Sequence, residues 1–106
     1  MSKHIIVFST IDGEKKAKKL ASKLVKRRLV ACVNIVPKIR SIYEWDGEIH
    51  DENESLMIMK TKSDLFDELK EFITKNHGYE VPEIISIDIK DGLQTYLDWI
   101  DGVTAT

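Results

Sequence analysis

Residues 39–49, Ile39-Arg40-Ser41-Ile42-Tyr43-Glu44-Trp45-Asp46-Gly47-Glu48-Ile49, decide how this chain folds. Ile39, Ser41, Tyr43 and Trp45 recur at every second position, which puts them on one face of a strand. Asp46-Gly47 follows, and both residues tolerate the positive φ that a type I′ turn demands. A strand that ends at Trp45 therefore turns straight back into one that begins at Glu48.

Working outward, the upstream strand begins with the apolar run Leu29 to Val36, and Pro37, which has no N–H to give a ladder, marks an edge position or a bulge. Before it, Ala17, Leu20, Ala21, Leu24 and Val25 follow helical spacing over Glu14 to Arg28, after a turn at Asp12-Gly13. His4 to Thr10 holds the β-branched run Ile5-Ile6-Val7-Phe8, which suits a strand buried on both faces. Downstream, the third strand runs from Glu48 through Asp51-Glu52-Asn53-Glu54 into Leu56-Met57-Ile58-Met59. Leu65, Phe66, Leu69, Phe72 and Ile73 predict a helix over Lys62 to His77, with Thr61 or Ser63 as N-cap and Gly78 as terminator. Val81-Pro82 extends the chain into a fourth strand, Ile84 to Ile89, and Leu93, Tyr96, Leu97 and Ile100 mark a closing helix.

The order is β-α-β-β-α-β plus a C-terminal helix, an α/β (α+β) chain with the split βαβ arrangement of ferredoxin-like folds. Right-handed crossovers put both long helices on one face of the sheet. At 106 residues the chain reads as a single domain over 1–106. Hydrophobic residues make up 42% and charged residues 32%, so the chain has the composition of a folded protein. No run approaches the roughly 20 apolar residues of a membrane span, and the start breaks into polar residues too early for a signal peptide, which predicts a cytoplasmic protein. Cys32 is the only cysteine, which excludes an intrachain disulfide. A net charge of -2, from 16 basic and 18 acidic residues, gives no strong pull on nucleic acid or on anionic membrane.

Two features predict an oligomer. Two helices cover one face of the sheet, yet the first, third and fourth strands are apolar at nearly consecutive positions, so the other face needs a cover of its own. The hairpin strands are also long, roughly 12 or more residues against a usual 5 to 6. Their arm, carrying Tyr43 and Trp45, projects towards a neighbouring subunit.

No nucleophile elbow, P-loop, dinucleotide fingerprint or metalloprotease motif is present, so nothing specifies an enzyme. Lys15, Lys16, Lys18, Lys19, Lys23, Lys26, Arg27 and Arg28 make the first helix basic, which, Arg28 at its end excepted, reads as a solvated face opposite the apolar stripe, the lesser alternative being a phosphate-tracking stripe of a nucleic-acid module. An RNA-recognition domain of this strand order carries stacking aromatics on its central strands, and Leu56 to Lys60 has none. His4, His50, His77 and Cys32 lack the spacing of a zinc site. His77, at the end of the second helix, is the candidate metal ligand, its bland alternative being a cation at a helix C-terminus. Cys32 reads as a small buried hydrophobe, and the acidic run as a solvated edge. Lys60, Tyr79, Glu83 and Trp99 have the mix of a pocket wall.

The segments Ala31-Cys32-Val33-Asn34-Ile35, Tyr43 to Ile49, Met59-Lys60-Thr61, His77 to Ile85 and Tyr96-Leu97-Asp98-Trp99-Ile100 together resemble the CutA family of divalent-cation tolerance proteins. The resemblance implies a homotrimer similar in architecture to PII signalling proteins, with the hairpin strands pairing across subunits. It also implies a role in the response to metal ions, copper binding in some members, and no required cofactor. Copper-binding bacterial relatives use a cysteine near the end of the first strand and two adjacent histidines after the second helix. The matching positions here are Ser9, Asn76 and His77. Two readings follow: a trimer that binds copper or another divalent ion through His77 and inter-subunit groups, or a PII-like sensor or scaffold. The second would hold a small anionic effector or a partner in an inter-subunit cleft lined by Lys60, Tyr79, Glu83 and Trp99.

Overall fold

Asp46 at φ 54° and Gly47 at φ 79° make the expected turn, joining β2 (Cys32–Trp45) to β3 (Glu48–Lys62). The computed structural model describes residues 3–106. Around the hairpin stand β1 (His4–Ile11), α1 (Glu14–Lys26), α2 (Phe66–Asn76), β4 (Ile85–Asp88) and α3 (Gln94–Val103). The sheet order is β2-β3-β1-β4, with every neighbouring pair antiparallel. The turn sets the register of the arm, with Trp45 opposite Glu48 and Tyr43 opposite His50. The ladder shifts between Val36 and Ile39, the bulge that Pro37 requires. β1 pairs with β3 only as far as Ile11 opposite Ser55, so Glu48 to Glu54 leave the sheet with β2 alone. The molecule measures 44 × 26 × 23 Å as a result.

Several boundaries differ from expectation, each for a local reason. α1 stops at Lys26 because Arg28 turns into the left-handed region at φ 60°. That conformation is held from α3: the Arg28 guanidinium donates to the carbonyls of Gly102 and Thr104 at 3.2 and 3.3 Å, and its own carbonyl accepts from Ala105 N–H at 2.8 Å. Neither Thr61 nor Ser63 caps α2. Thr61 instead donates its hydroxyl to Leu29 O at 2.7 Å and Ser63 to Lys3 O at 3.2 Å, and a 3-10 turn over Ser63–Leu65 precedes the helix. Gly78 ends α2 as expected, at φ 103°.

Alternation along the strands divides the apolar residues between two faces. Ile5, Val7 and Ile11 of β1 and Met57 and Met59 of β3 meet Ala17, Leu20 and Leu24 of α1 and Leu69 and Ile73 of α2 in one buried cluster. The residues between them point the other way: Ile6, paired with Ile87, and Phe8, paired with Ile85 and Ile58. α3 covers only the end of that face where His4 and Lys62 lie. There Asp101 accepts from His4 Nε2 at 2.9 Å and Lys3 Nζ at 3.2 Å, Lys62 Nζ donates to Ala105 O at 2.7 Å, and Ile100 is fully buried. Among the described residues no helix is long and apolar enough to cross a membrane.

Candidate functional site

Where the hairpin leaves the sheet, the chain that follows α2 folds across its root and encloses a cleft of about 660 Å³. Gly78 makes this reversal possible, since a side chain at its positive φ would be strained. His77, just before it, is 4% exposed and acts as a strut. Its Nε2 lies 2.5 Å from Thr10 O, and a carbonyl only accepts, so Nε2 carries the proton. Nδ1 is then the acceptor and takes the Tyr79 backbone N–H at 3.3 Å. The two rings pack with centroids 4.5 Å apart. Burial holds the His77 pKa below its usual value, against the opposing pull of the Thr10 carbonyl and Glu54.

The Tyr79 hydroxyl donates to Glu54 Oε2 at 2.8 Å, and Glu54 is only 8% exposed. Burial first, and then this carboxylate, push the Tyr79 phenol up. Across the arm Tyr43 donates to Glu52 and stacks on His50 at 5.2 Å. Its phenol is raised to about 12, chiefly by the bond to Glu52. With Glu80 and Glu83 the cleft therefore faces four carboxylates, two of them bonded by tyrosines, and among the described residues no lysine, arginine or histidine lines it. The potential inside is negative, which selects cationic or hydrogen-bond-donating ligands.

Within one chain the structure brings Tyr79, Glu83, Tyr43 and Trp45 together at this cleft. Lys60 and Trp99 lie elsewhere. Lys60, opposite Cys32 and Ile6 in the sheet, donates its ammonium to Asn34 Oδ1. Trp99 packs on Tyr96 of α3 at 5.5 Å, and Tyr96 has its phenol raised by burial and by nearby Cys32. Glu54 and Glu52 were missed as site residues by the reading of the acidic run as a solvated edge. The turn held the signal: counting back from Asp46-Gly47 places Glu52 opposite Ser41, diagonal to Tyr43.

The three positions that the resemblance matched to copper ligands have the following surroundings within one chain. Ser9 offers a fully buried hydroxyl with no hydrogen-bond partner among the described residues. Asn76 turns its amide back onto Phe72 O at 2.8 Å. His77, the expected ligand, has both ring nitrogens engaged and no lone pair free for a metal. Among the described residues no group of three or more His, Cys, Asp or Glu is placed to hold an ion.

Residues 5–103 match the family described as CutA1 divalent ion tolerance protein. The chloroplastic protein CutA of Arabidopsis thaliana is 43% identical over 100 residues, which are 94% of this chain and 55% of that protein. The divalent-cation tolerance protein CutA of Thermus thermophilus is 44% identical over 95 residues, 90% of this chain and 92% of its own. The crystal structure of CutA1 from Oryza sativa superposes with a TM-score of 0.95 at 40% identity, covering 98% of this chain and 95% of that one. The chain spans about half the length of the plant and mammalian relatives it matches, 54% of the human protein for example. With nearly every element from β1 to α3 inside the matched stretch, the chain belongs to the CutA1 divalent ion tolerance family.

Proposed function

We propose that the chain works as a cytoplasmic homotrimer in the tolerance of divalent cations, as a binding protein and not an enzyme. The observation that carries this reading is the uncovered sheet face, where Ile85 and Ile87 are 55% and 51% exposed beside Ile6, Phe8 and Ile58. Ile42 and Ile49 on the arm add apolar surface at 68% and 72% exposure. Fully burying one such side chain is worth about 1.5–3 kcal/mol, so self-association gains several such terms per chain. Three copies are the closure that the family resemblance implies, with each arm laid along a neighbour. The fold needs no disulfide, which suits a reducing compartment.

Since the described residues of one chain assemble no group of three or more His, Cys, Asp or Glu for an ion, ion binding is assigned to groups that meet between chains, with copper(II) the first ion to test. A second reading rests on the cleft at the hairpin root, which would hold an effector as PII-like proteins do. Its four carboxylates favour a cationic effector over the anionic one expected from the sequence, because Lys60, the anion's intended partner, stands at the other end of the sheet.

Native mass spectrometry with and without copper(II) and zinc(II) tests the proposal. The expected species is three chains that retain metal as a unit, and a 12.2 kDa monomer at micromolar concentration overturns it. Thermal shifts with polyamines against dicarboxylates separate a cationic from an anionic effector.

A further inference from the structure

The basic residues of α1 fall into two groups that differ in their surroundings. In the N-terminal half, Lys16 pairs with Asp12 at 3.5 Å and Lys18 with Glu14 at 3.9 Å, while Lys15 and Lys19, without an ion pair among the described residues, line no groove with α2. At the C-terminal end, Lys23, Lys26 and Arg27 have no carboxylate within ion-pairing distance among the described residues. They line a groove of about 510 Å³ whose other wall is the end of α2, with Phe72, Lys75 and Asn76. None of these residues lines the acidic cleft.

A helix C-terminus attracts cations by itself, so the charge needs weighing. The groove holds four cationic side chains, and Lys75 is neutralised by Glu71 at 3.0 Å. The ends of α1 and α2 add about half a negative charge each. Roughly two positive charges remain uncompensated, which leaves the groove attractive to a multivalent anion. The Arg27 guanidinium is also laid over the Phe72 ring, 4.8 Å from its centroid. Stacking restrains the plane of the guanidinium and leaves its N–H edge for an oxyanion, the geometry in which arginine exceeds lysine at phosphate.

We propose that this groove binds the phosphate chain of an oligophosphate anion, with Arg27 supplying the fork and Lys23 and Lys26 the surrounding charge. Free oligophosphate and a nucleotide's phosphate tail share this chemistry. The groove reads the phosphates and not a base, since its aromatic face is covered by Arg27.

Isothermal titration of the full-length chain, free of divalent metal, with tripolyphosphate and in parallel with a nucleoside triphosphate tests this. Both ligands are expected to bind, and binding of the nucleotide alone overturns the proposal. The double variant Lys23→Gln/Lys26→Gln is expected to weaken tripolyphosphate by about tenfold, the scale of lost charge-assisted contacts. Arg27→Lys, which keeps the charge and loses the fork, is expected to weaken it by about threefold. Lys15→Gln/Lys16→Gln changes the net charge as much as the double variant does, but outside the groove, and should leave affinity unchanged. An equal loss in that control, or no loss in the groove variants, overturns the site. All these side chains are exposed, so far-UV circular dichroism should not move. Subunit number by native mass spectrometry stays at its wild-type value, which keeps failure here distinct from failure of the proposed assembly.

Discussion

On the helix-covered face of the sheet Val7, Met57 and Met59 are completely buried, whereas on the opposite face Ile85 and Ile87 keep 55% and 51% of their surface. Apolar side chains of one four-stranded sheet have reached two different ends. α1 and α2 close the first face within the chain, while α3 reaches only the His4 and Lys62 end of the second. The difference separates two energies that are often confounded: the covered face should set whether a chain folds, and the open face whether folded chains associate.

The largest expected effect lies on the covered face. Met59→Ala removes a fully buried side chain from the centre of the cluster and should lower the unfolding free energy by about 2–5 kcal/mol. Urea unfolding measures it, and a loss below about 1 kcal/mol would mean that this face is not where the fold is secured. Next comes the open face, through Ile85→Asp/Ile87→Asp. With about half of each side chain already exposed, the pair should cost the single chain little and the assembly about 2–3 kcal/mol per chain. The subunit number should fall while helical circular dichroism is kept. A variant that unfolds outright, or associates as before, would erase the distinction between the faces.

Much of this division could be read from the sequence, and the parts that could not have specific causes. Asp46-Gly47 and the alternation before it are local signals, so the hairpin, its register and the bulge at Pro37 were all legible. The apolar run Ile5 to Phe8 announced a strand buried on both sides, and one of those sides is open within the chain. Helix boundaries failed where a distant element decides them: Arg28 is held in a left-handed turn by α3, and Thr61 is drawn from capping to Leu29 O. Of the residues expected to line a cleft between subunits, one chain by itself places only some together. Tyr79 and Glu83 sit together, but Lys60 and Trp99 are separated from them because proximity to core elements in sequence says nothing about which end of a strand a residue occupies. Glu54 was unreadable for the same reason, since its burial depends on Tyr79 arriving from a loop 25 residues later.

The smallest effect concerns the strut that binds the two helices' side of the sheet to the cleft. His77 is buried among groups that include Glu54 and Lys16, and its folded pKa lies below the usual 6.5. The folded state then resists a proton that the unfolded chain accepts. Stability from this group is complete above pH 6.5 and declines as pH falls from there towards the lowered folded value. The slope is at most about 1.4 kcal/mol per pH unit. His77→Asn should remove it, so the difference in unfolding free energy between wild type and variant should shrink between pH 7.5 and about 5.5. Parallel curves across that range would show that the ring is not held neutral. The open-face variant should keep the wild-type slope, because its isoleucines do not titrate and Ile85 and Ile87 are not among the groups that set the His77 pKa.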